Sequence, residues 1–142
     1  VHDWVADNAM LFIWCTMPYL MRCNRVIESW GFEYVTCAFT WVKMNRTNAS
    51  FFKGVGNYTK SNAELCLLAR RGRPLTRANR DVAQVIMEPR REHSRKPDRV
   101  RDDIVRLFGD RPRLEMFART QTPGWSVWGN DTDKFTGADN EQ

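Results

Sequence analysis

The segment from residue 10 to residue 31 constrains the fold more than any other. Residues 10–16 are short and apolar, and they end at Thr16-Met17-Pro18, a helix-start signal with proline in the first turn. Leu20, Cys23, Ile27 and Trp30 then recur at helical spacing, and Gly31 stands where a C-cap glycine belongs. Strand, turn, helix and glycine stop make the first half of a β-α-β unit. Residues 32–42, rich in aromatic and β-branched side chains, predict the second strand, so a crossover and an at least partly parallel sheet are expected.

The rest of the chain continues in the same style. Residues 45–60, with Asn, Gly, Ser and Thr throughout, read as a long polar loop, and loops of that length in compact domains are usually functional or mobile. Residues 63–69 return as a strand, and residues 82–87 follow as a short one. Pro97 opens a helix whose Val100, Ile104, Val105 and Phe108 share a face before Gly109 ends it. Residues 113–119 form a final strand, followed by a Gly-Trp-Ser-Val-Trp-Gly segment, and residues 136–142 read as a frayed tail. Alternating strands and helices place the chain in the α/β class. Residues 1–135 are expected to form one domain.

Composition narrows the classes open to such a chain. Its 142 residues, 42% of them hydrophobic, can supply one core but not two. No apolar run approaches the ~20 residues of a membrane span and no signal peptide is recognisable, so a soluble, cytoplasmic protein without membrane partners is expected. Cys15, Cys23, Cys37 and Cys66 stand singly in apolar stretches with only His2 and His93 beside them. That pattern predicts reduced core thiols and no metal site. Four Asn-x-Ser/Thr sequons, at Asn45, Asn48, Asn57 and Asn130, are attributed to chance for lack of a secretory signal.

Charge is distributed unevenly. Residues 70–101 hold eleven Lys/Arg against four Asp/Glu, half of the chain's 22 basic residues. Such clustering is the footprint expected of a polyanion contact, because phosphate neutralisation supplies much of nucleic-acid affinity. On charge alone a solvated basic loop and helix face explains it equally well.

Several short motifs occur in a telling order: Ala9-Met-Leu-Phe-Ile-Trp14, Trp30-Gly31-Phe32, Trp41-Val42-Lys43, Gly54-Val-Gly56, Asn62-Ala-Glu-Leu-Cys-Leu67, Arg71-Gly72, His93-Ser-Arg-Lys-Pro-Asp98, Arg113-Leu-Glu-Met-Phe-Ala-Arg119, Gly124-Trp125 and Trp128-Gly129-Asn130. In this order and at these spacings the chain, from Ala6 to about Asp131, resembles the adenine-N6 methyltransferases that include the eukaryotic messenger-RNA methyltransferase catalytic subunit and many bacterial and phage DNA enzymes. The resemblance implies a Rossmann-like fold, S-adenosylmethionine as cofactor, no metal, and the exocyclic amine of adenine as methyl acceptor. The motif wording is closer to bacterial or phage enzymes, so DNA is the expected partner and RNA the alternative. In this family an Asp-Pro-Pro-Trp motif ahead of the strand at 10–16 holds the amine, whereas all six prolines here are isolated. The resemblance therefore implies a fold incomplete at its N-terminus. The chain would be a fragment of a longer enzyme or would be completed by a second polypeptide or dimer partner; without that motif no residue here is assigned a catalytic role, and the chain alone is expected to be inactive. The rival reading is a catalytically dead nucleic-acid-binding scaffold that partners an active subunit.

Site residues are carried over position by position. Lys96, just before the helix opened by Pro97, would pair with the carboxylate of the cofactor's methionine moiety, where backbone N–H groups and the dipole already favour an anion; the plainer reading is a solvated lysine. Glu115 and Arg119, four apart on a strand, should share a face at its carboxyl end. The resemblance assigns them to the cofactor's ribose and nearby polar groups, and a structural ion pair is the alternative. Asn130 is a further cofactor contact. Gln121 and Asp131 occupy two more such positions with residues that depart from those of the messenger-RNA enzymes. Trp41, Lys43 and Tyr58 would bring aromatic faces and a cation to the target base, with Glu64 accepting from the base or ordering the loop. Trp41 as core and Glu64 as a buried structural acid are the alternatives, and Trp14, Trp30 and Trp125 are read as packing residues.

Overall fold

A computed structural model describes residues 1–135; the expected tail at 136–142 lies outside them. The described chain is mixed α/β. In order it contains β1 (Ala9–Cys15), α1 (Leu20–Ser29), β2 (Glu33–Met44), β3 (Ala63–Arg71), β4 (Val85–Pro89), α2 (Arg99–Phe108), β5 (Leu114–Met116) and β6 (Ser126–Trp128), with 3-10 turns at His2–Trp4 and Met17–Tyr19. The chain divides into two compact units, Val1–Gly109 and a second beginning at Asp110.

The first unit is built on a four-stranded sheet in the order β1-β3-β2-β4. The expected β-α-β crossover is present: β1 and β2 each run antiparallel to β3, so they run parallel to one another, and α1 connects them. Contrary to the simplest reading they are not neighbours, because β3 lies between them, and the parallel ladder is that of β2 with β4. The carboxyl ends of β1, β2 and β4 therefore lie at one end of the sheet, together with the start of β3.

Alternation along the strands sorts side chains to two faces. One face carries Leu11, Ile13, Cys15, Leu65, Leu67 and Ala69, which pack with Cys23 and Ile27 of α1. Gly31 ends that connection with φ +79°, the left-handed conformation that glycine reaches at no steric cost. The other face carries Phe12, Trp14, Phe39, Trp41, Cys66 and Ile86, packed with Val100 and Ile104 of α2. Cys37 and Phe39 are two apart yet belong to opposite faces. The register explains this: Cys37 pairs with Leu67 but Phe39 pairs with Cys66, so two residues of β2 advance against one of β3. This bulge, with a second between Tyr34 and Thr36, switches the phase of everything that follows it.

In the second unit β5 and β6 pair in parallel, Glu115 opposite Val127. Two expectations need correction here. The strand predicted for 113–119 stops at Met116, because Phe117 takes φ +58°, and the following segment supplies a strand that was not anticipated. In the first unit, likewise, β4 begins at Val85 rather than at Val82, which packs into the core ahead of the ladder. No helix among the described residues is long and apolar enough to cross a membrane.

Candidate functional site

The bulged phase of β2 brings Trp41 and Lys43 to the α2 face, where β3 presents Glu64 and β1 presents Trp14. Glu64, only 8% exposed, accepts hydrogen bonds from the Lys96 ammonium at 3.2 and 3.3 Å and lies 3.3 Å from the Lys43 ammonium. Two tryptophan rings floor this cluster. Lys43 lies 5.2 Å from the centroid of the Trp41 ring, Lys96 lies 5.7 Å from that of Trp14, and the two rings meet edge-on at 6.3 Å. One carboxylate against two ammonium groups leaves the cluster with an excess positive charge, so it can accept a second carboxylate while keeping the first.

Lys96 is thus part-buried and paired with Glu64. The segment that carries it is fastened by arginines: Arg91 pairs with Asp98, Arg95 donates to Asp98 at 3.1 Å and to Glu92 at 3.3 and 3.4 Å, and Arg101 donates to Asp98 at 2.9 Å. Burial pushes the Asp98 carboxyl up, but hydrogen bonds from Arg91 and Arg101 and the charge of Arg95 outweigh it and hold the group below the usual carboxylate range. Ser94 adopts φ +60°, and Pro97 is buried immediately before the α2 N-terminus. Sequence reading singled out this motif for Lys96 alone. The arginine clasp beneath it carries no separate signal in the sequence, because its acids and bases fall within eleven consecutive residues and look like ordinary surface charge.

Trp41 is 3% exposed and donates its indole N–H to the Glu88 carbonyl at 3.0 Å. It underlies Lys43 as core rather than offering an open ring face, which corrects its assignment as a stacking residue. Tyr58 stands fully exposed in the loop after β2 and is not gathered with Lys43 and Glu64. The stem of that loop is ordered: Phe51 bridges Met44, Asn45 donates to the Ser50 hydroxyl at 2.7 Å, and the Arg90 guanidinium lies 3.9 Å from the Phe52 ring centroid. A cleft of about 540 Å³ opens among Asn45, Ser50, Phe51, Phe52 and Lys53.

The second unit holds a cleft of about 310 Å³ lined by Phe117, Ala118, Arg119, Trp128, Gly129, Asn130 and Asp131. Phe117 and Trp128 meet edge-on at 5.3 Å on its wall, both substantially exposed. Two backbones approach closely at its base, where Ala118 donates to the Trp128 carbonyl at 3.1 Å. A Cβ on Gly129 would stand 3.1 Å from the nitrogen and the oxygen of Ala118. Arg119 and Asn130 therefore belong to one cleft. The same-face argument for Glu115 and Arg119 fails, however, because the strand ends between them; Arg119 lies over the Phe135 ring at 4.6 Å. Glu115 sits half-buried on β5, Gln121 donates to Asp133 at 2.7 Å, and Asp131 lines the cleft and lies 4.0 Å from Lys134. Phe117 and Trp128 were not among the expected site residues. Their signal was an exposed aromatic pair, Phe117 just past the end of β5 and Trp128 at the end of β6, which needs the pairing of β5 with β6 to be seen.

Comparison with known proteins gives the family: residues 1–131 match the MT-A70 family model, and the chain belongs to that family. It is 39% identical over 125 residues to the type II methyltransferase M.MunI of Mycoplasma sp. To a probable N(6)-adenosine-methyltransferase MT-A70-like of Oryza sativa subsp. japonica it is 31% identical over 126 residues, and to the N(6)-adenosine-methyltransferase catalytic subunit METTL3 of Homo sapiens 29% over 130. Those alignments cover 87%, 87% and 89% of this chain but 51%, 18% and 22% of the relatives, so the chain spans about half the length of the first and less of the others.

Proposed function

We propose that this chain is the cofactor-binding part of an S-adenosylmethionine-dependent methyltransferase with a Rossmann-like fold that acts on the N6 amine of adenine in DNA. The observation that carries the reading is the Lys43–Glu64–Lys96 cluster with its uncompensated positive charge, built at the carboxyl end of parallel strands, where ligands of open α/β sheets bind. Lys96 takes the carboxylate of the cofactor's amino-acid moiety, remaining oriented by Glu64. The second unit, taken by itself, offers Arg119, Asn130 and Glu115 as further candidate cofactor contacts, with the aromatic pair of Phe117 and Trp128 lining the same cleft as the first two. Gln121 and Asp131 remain candidate contacts of the same kind. Bound there, the cofactor supplies an electrophilic methyl group; this chain's part is to hold, orient and dry the reacting centre.

Lys43, with Tyr58 and the loop at 45–62, faces the acceptor base in this proposal. DNA is favoured over RNA because the bacterial type II relative is more similar than the eukaryotic adenosine methyltransferases. The sequence holds no Pro-Pro pair, so the amine-orienting motif implied by the resemblance is not within it. We accordingly expect the 142-residue chain to bind cofactor without methylating adenine.

Titration calorimetry with S-adenosylmethionine tests the reading. Binding by the wild type, weakened at least about tenfold by Lys96→Ala, is the expected outcome, a loss in the range for removing one charge-assisted hydrogen bond. Heat signals that are absent in the wild type, or identical in the variant, would sink it.

A further inference from the structure

The basic segment that stands out in the sequence divides in the structure into two parts of different character. From Glu88 onward most of its arginines have carboxylate partners: Arg91, Arg95 and Arg101 converge on Asp98, Arg99 reaches Glu88 and Asp103, and Arg106 pairs with Asp103, while Arg90 lies over the Phe52 ring. Residues 70–80 are different. They contain five arginines and no acid, and among the described residues only Arg70 has a carboxylate partner, Glu33 at 3.0 Å. Among the described residues no carboxylate lies within ion-pair distance of Arg73, Arg77 or Arg80, and all three are exposed.

The backbone beneath these side chains is nonetheless held in place. Gly72 has φ +66°, and a Cβ there would stand 2.3 Å from the Asp7 carbonyl oxygen, so the loop leaves β3 pressed against the segment before β1. The Arg73 N–H donates to the Asn8 side chain at 2.7 Å, the Ala78 N–H to the Leu107 carbonyl at 2.8 Å, and the Asp81 N–H to the Asn79 side chain at 2.6 Å. Arg106 closes the far end through the Asp81 carbonyl. A tethered backbone that displays three unneutralised guanidinium groups can meet a row of anions without first ordering itself, which removes part of the entropic cost of association.

We infer that Arg73, Arg77 and Arg80 form a phosphate-backbone contact for duplex DNA, separate from the Lys43–Glu64–Lys96 site. The loop is displaced from that site by the length of α2 on one side, about 15 Å at ~1.5 Å per residue, and of β3 on the other, about 30 Å at ~3.3 Å per residue. At ~3.4 Å per base pair along the duplex axis, this places it roughly four to nine base pairs from the target adenine. Its contacts are therefore sequence-independent: they add affinity and register and read no base. The inference takes its nucleic-acid partner from the proposed function, but its test does not depend on cofactor binding.

The test measures fluorescence anisotropy of a labelled 24-base-pair duplex against NaCl concentration for the 142-residue protein, its R73Q/R77Q/R80Q variant and its R73K/R77K/R80K variant. Cofactor binding of each is followed separately by calorimetry. Loss of about three phosphate contacts should flatten the log–log salt dependence by roughly 2.7 in the glutamine variant. The lysine variant should keep the wild-type slope, since point charges suffice. Equal slopes for all three proteins, no duplex binding by the wild type, or an effect confined to single-stranded RNA or to anionic phospholipid vesicles would overturn the inference. If cofactor binding is unchanged alongside any of these results, the failure is of the DNA contact alone; if cofactor binding is absent in every protein, the methyltransferase reading fails instead.

Discussion

Single residues decide the chemistry of the two clusters. Glu64 is the counter-charge for two lysines at once, so Glu64→Gln should destabilise the fold by about 1–3 kcal/mol, the cost of leaving part-buried charges without their partner, read from urea denaturation. Phe117→Ala should leave stability nearly untouched, because the ring is largely exposed, yet weaken S-adenosylmethionine about tenfold, the equivalent of one aromatic contact of ~1.4 kcal/mol. Asp98 carries the pH dependence. Its carboxyl is held below the normal range, so its contribution is fully present above the unfolded value near ~3.9 and is lost as pH falls through the folded one. Asp98→Asn should therefore cost about 1 kcal/mol at pH 7, a value discounted for the exposure of Asp98 and its partners, and the gap between variant and wild type should close as pH falls below the ordinary carboxylate range. As candidates, Lys96, Arg119 and Asn130 could be named from the sequence because a family resemblance points to positions, and Glu64 because it stands on the strand after the polar loop. The ion pair that joins Lys96 to Glu64 could not, since 32 residues separate them and only the sheet brings them together.

At the scale of elements, the strands and helices were legible where apolar periodicity is strong, as in β1, α1, β3 and α2, and illegible where the backbone departs from regularity. No composition rule signals the extra residue, Ala38, that rotates the second half of β2, although the placement of Lys43 depends on it. Deleting Ala38 should cost about 3 kcal/mol or more, because either Phe39 and Trp41 leave the α2 face or the first half of β2 loses its register with β3. Ala38→Gly, which keeps the residue count, should cost no more than about 1 kcal/mol in the same denaturation series. The β5–β6 pair was half-seen for a similar reason: a left-handed Phe117 ends the first strand where the side-chain pattern would continue it. Burial also shapes thiol chemistry. It pushes the Cys23 thiol up to about 11 and raises Cys66 further, so both should resist iodoacetamide at pH 7.5 in the folded protein and react once it is unfolded in urea.

For the whole molecule, the order β1-β3-β2-β4 has a consequence for how the chain is made. During synthesis β1 and β2 leave the ribosome first, yet neither has the other as a partner, because the slot between them belongs to β3. A nascent chain that ends before Ala63 has β1 and β2 without the strand that joins them, and this four-stranded sheet can close only when residues 63–71 arrive. The last strand of the three to be translated is thus the keystone of the first unit, and until it is delivered the emerging protein is a client for whatever holds unfolded chains in its cell.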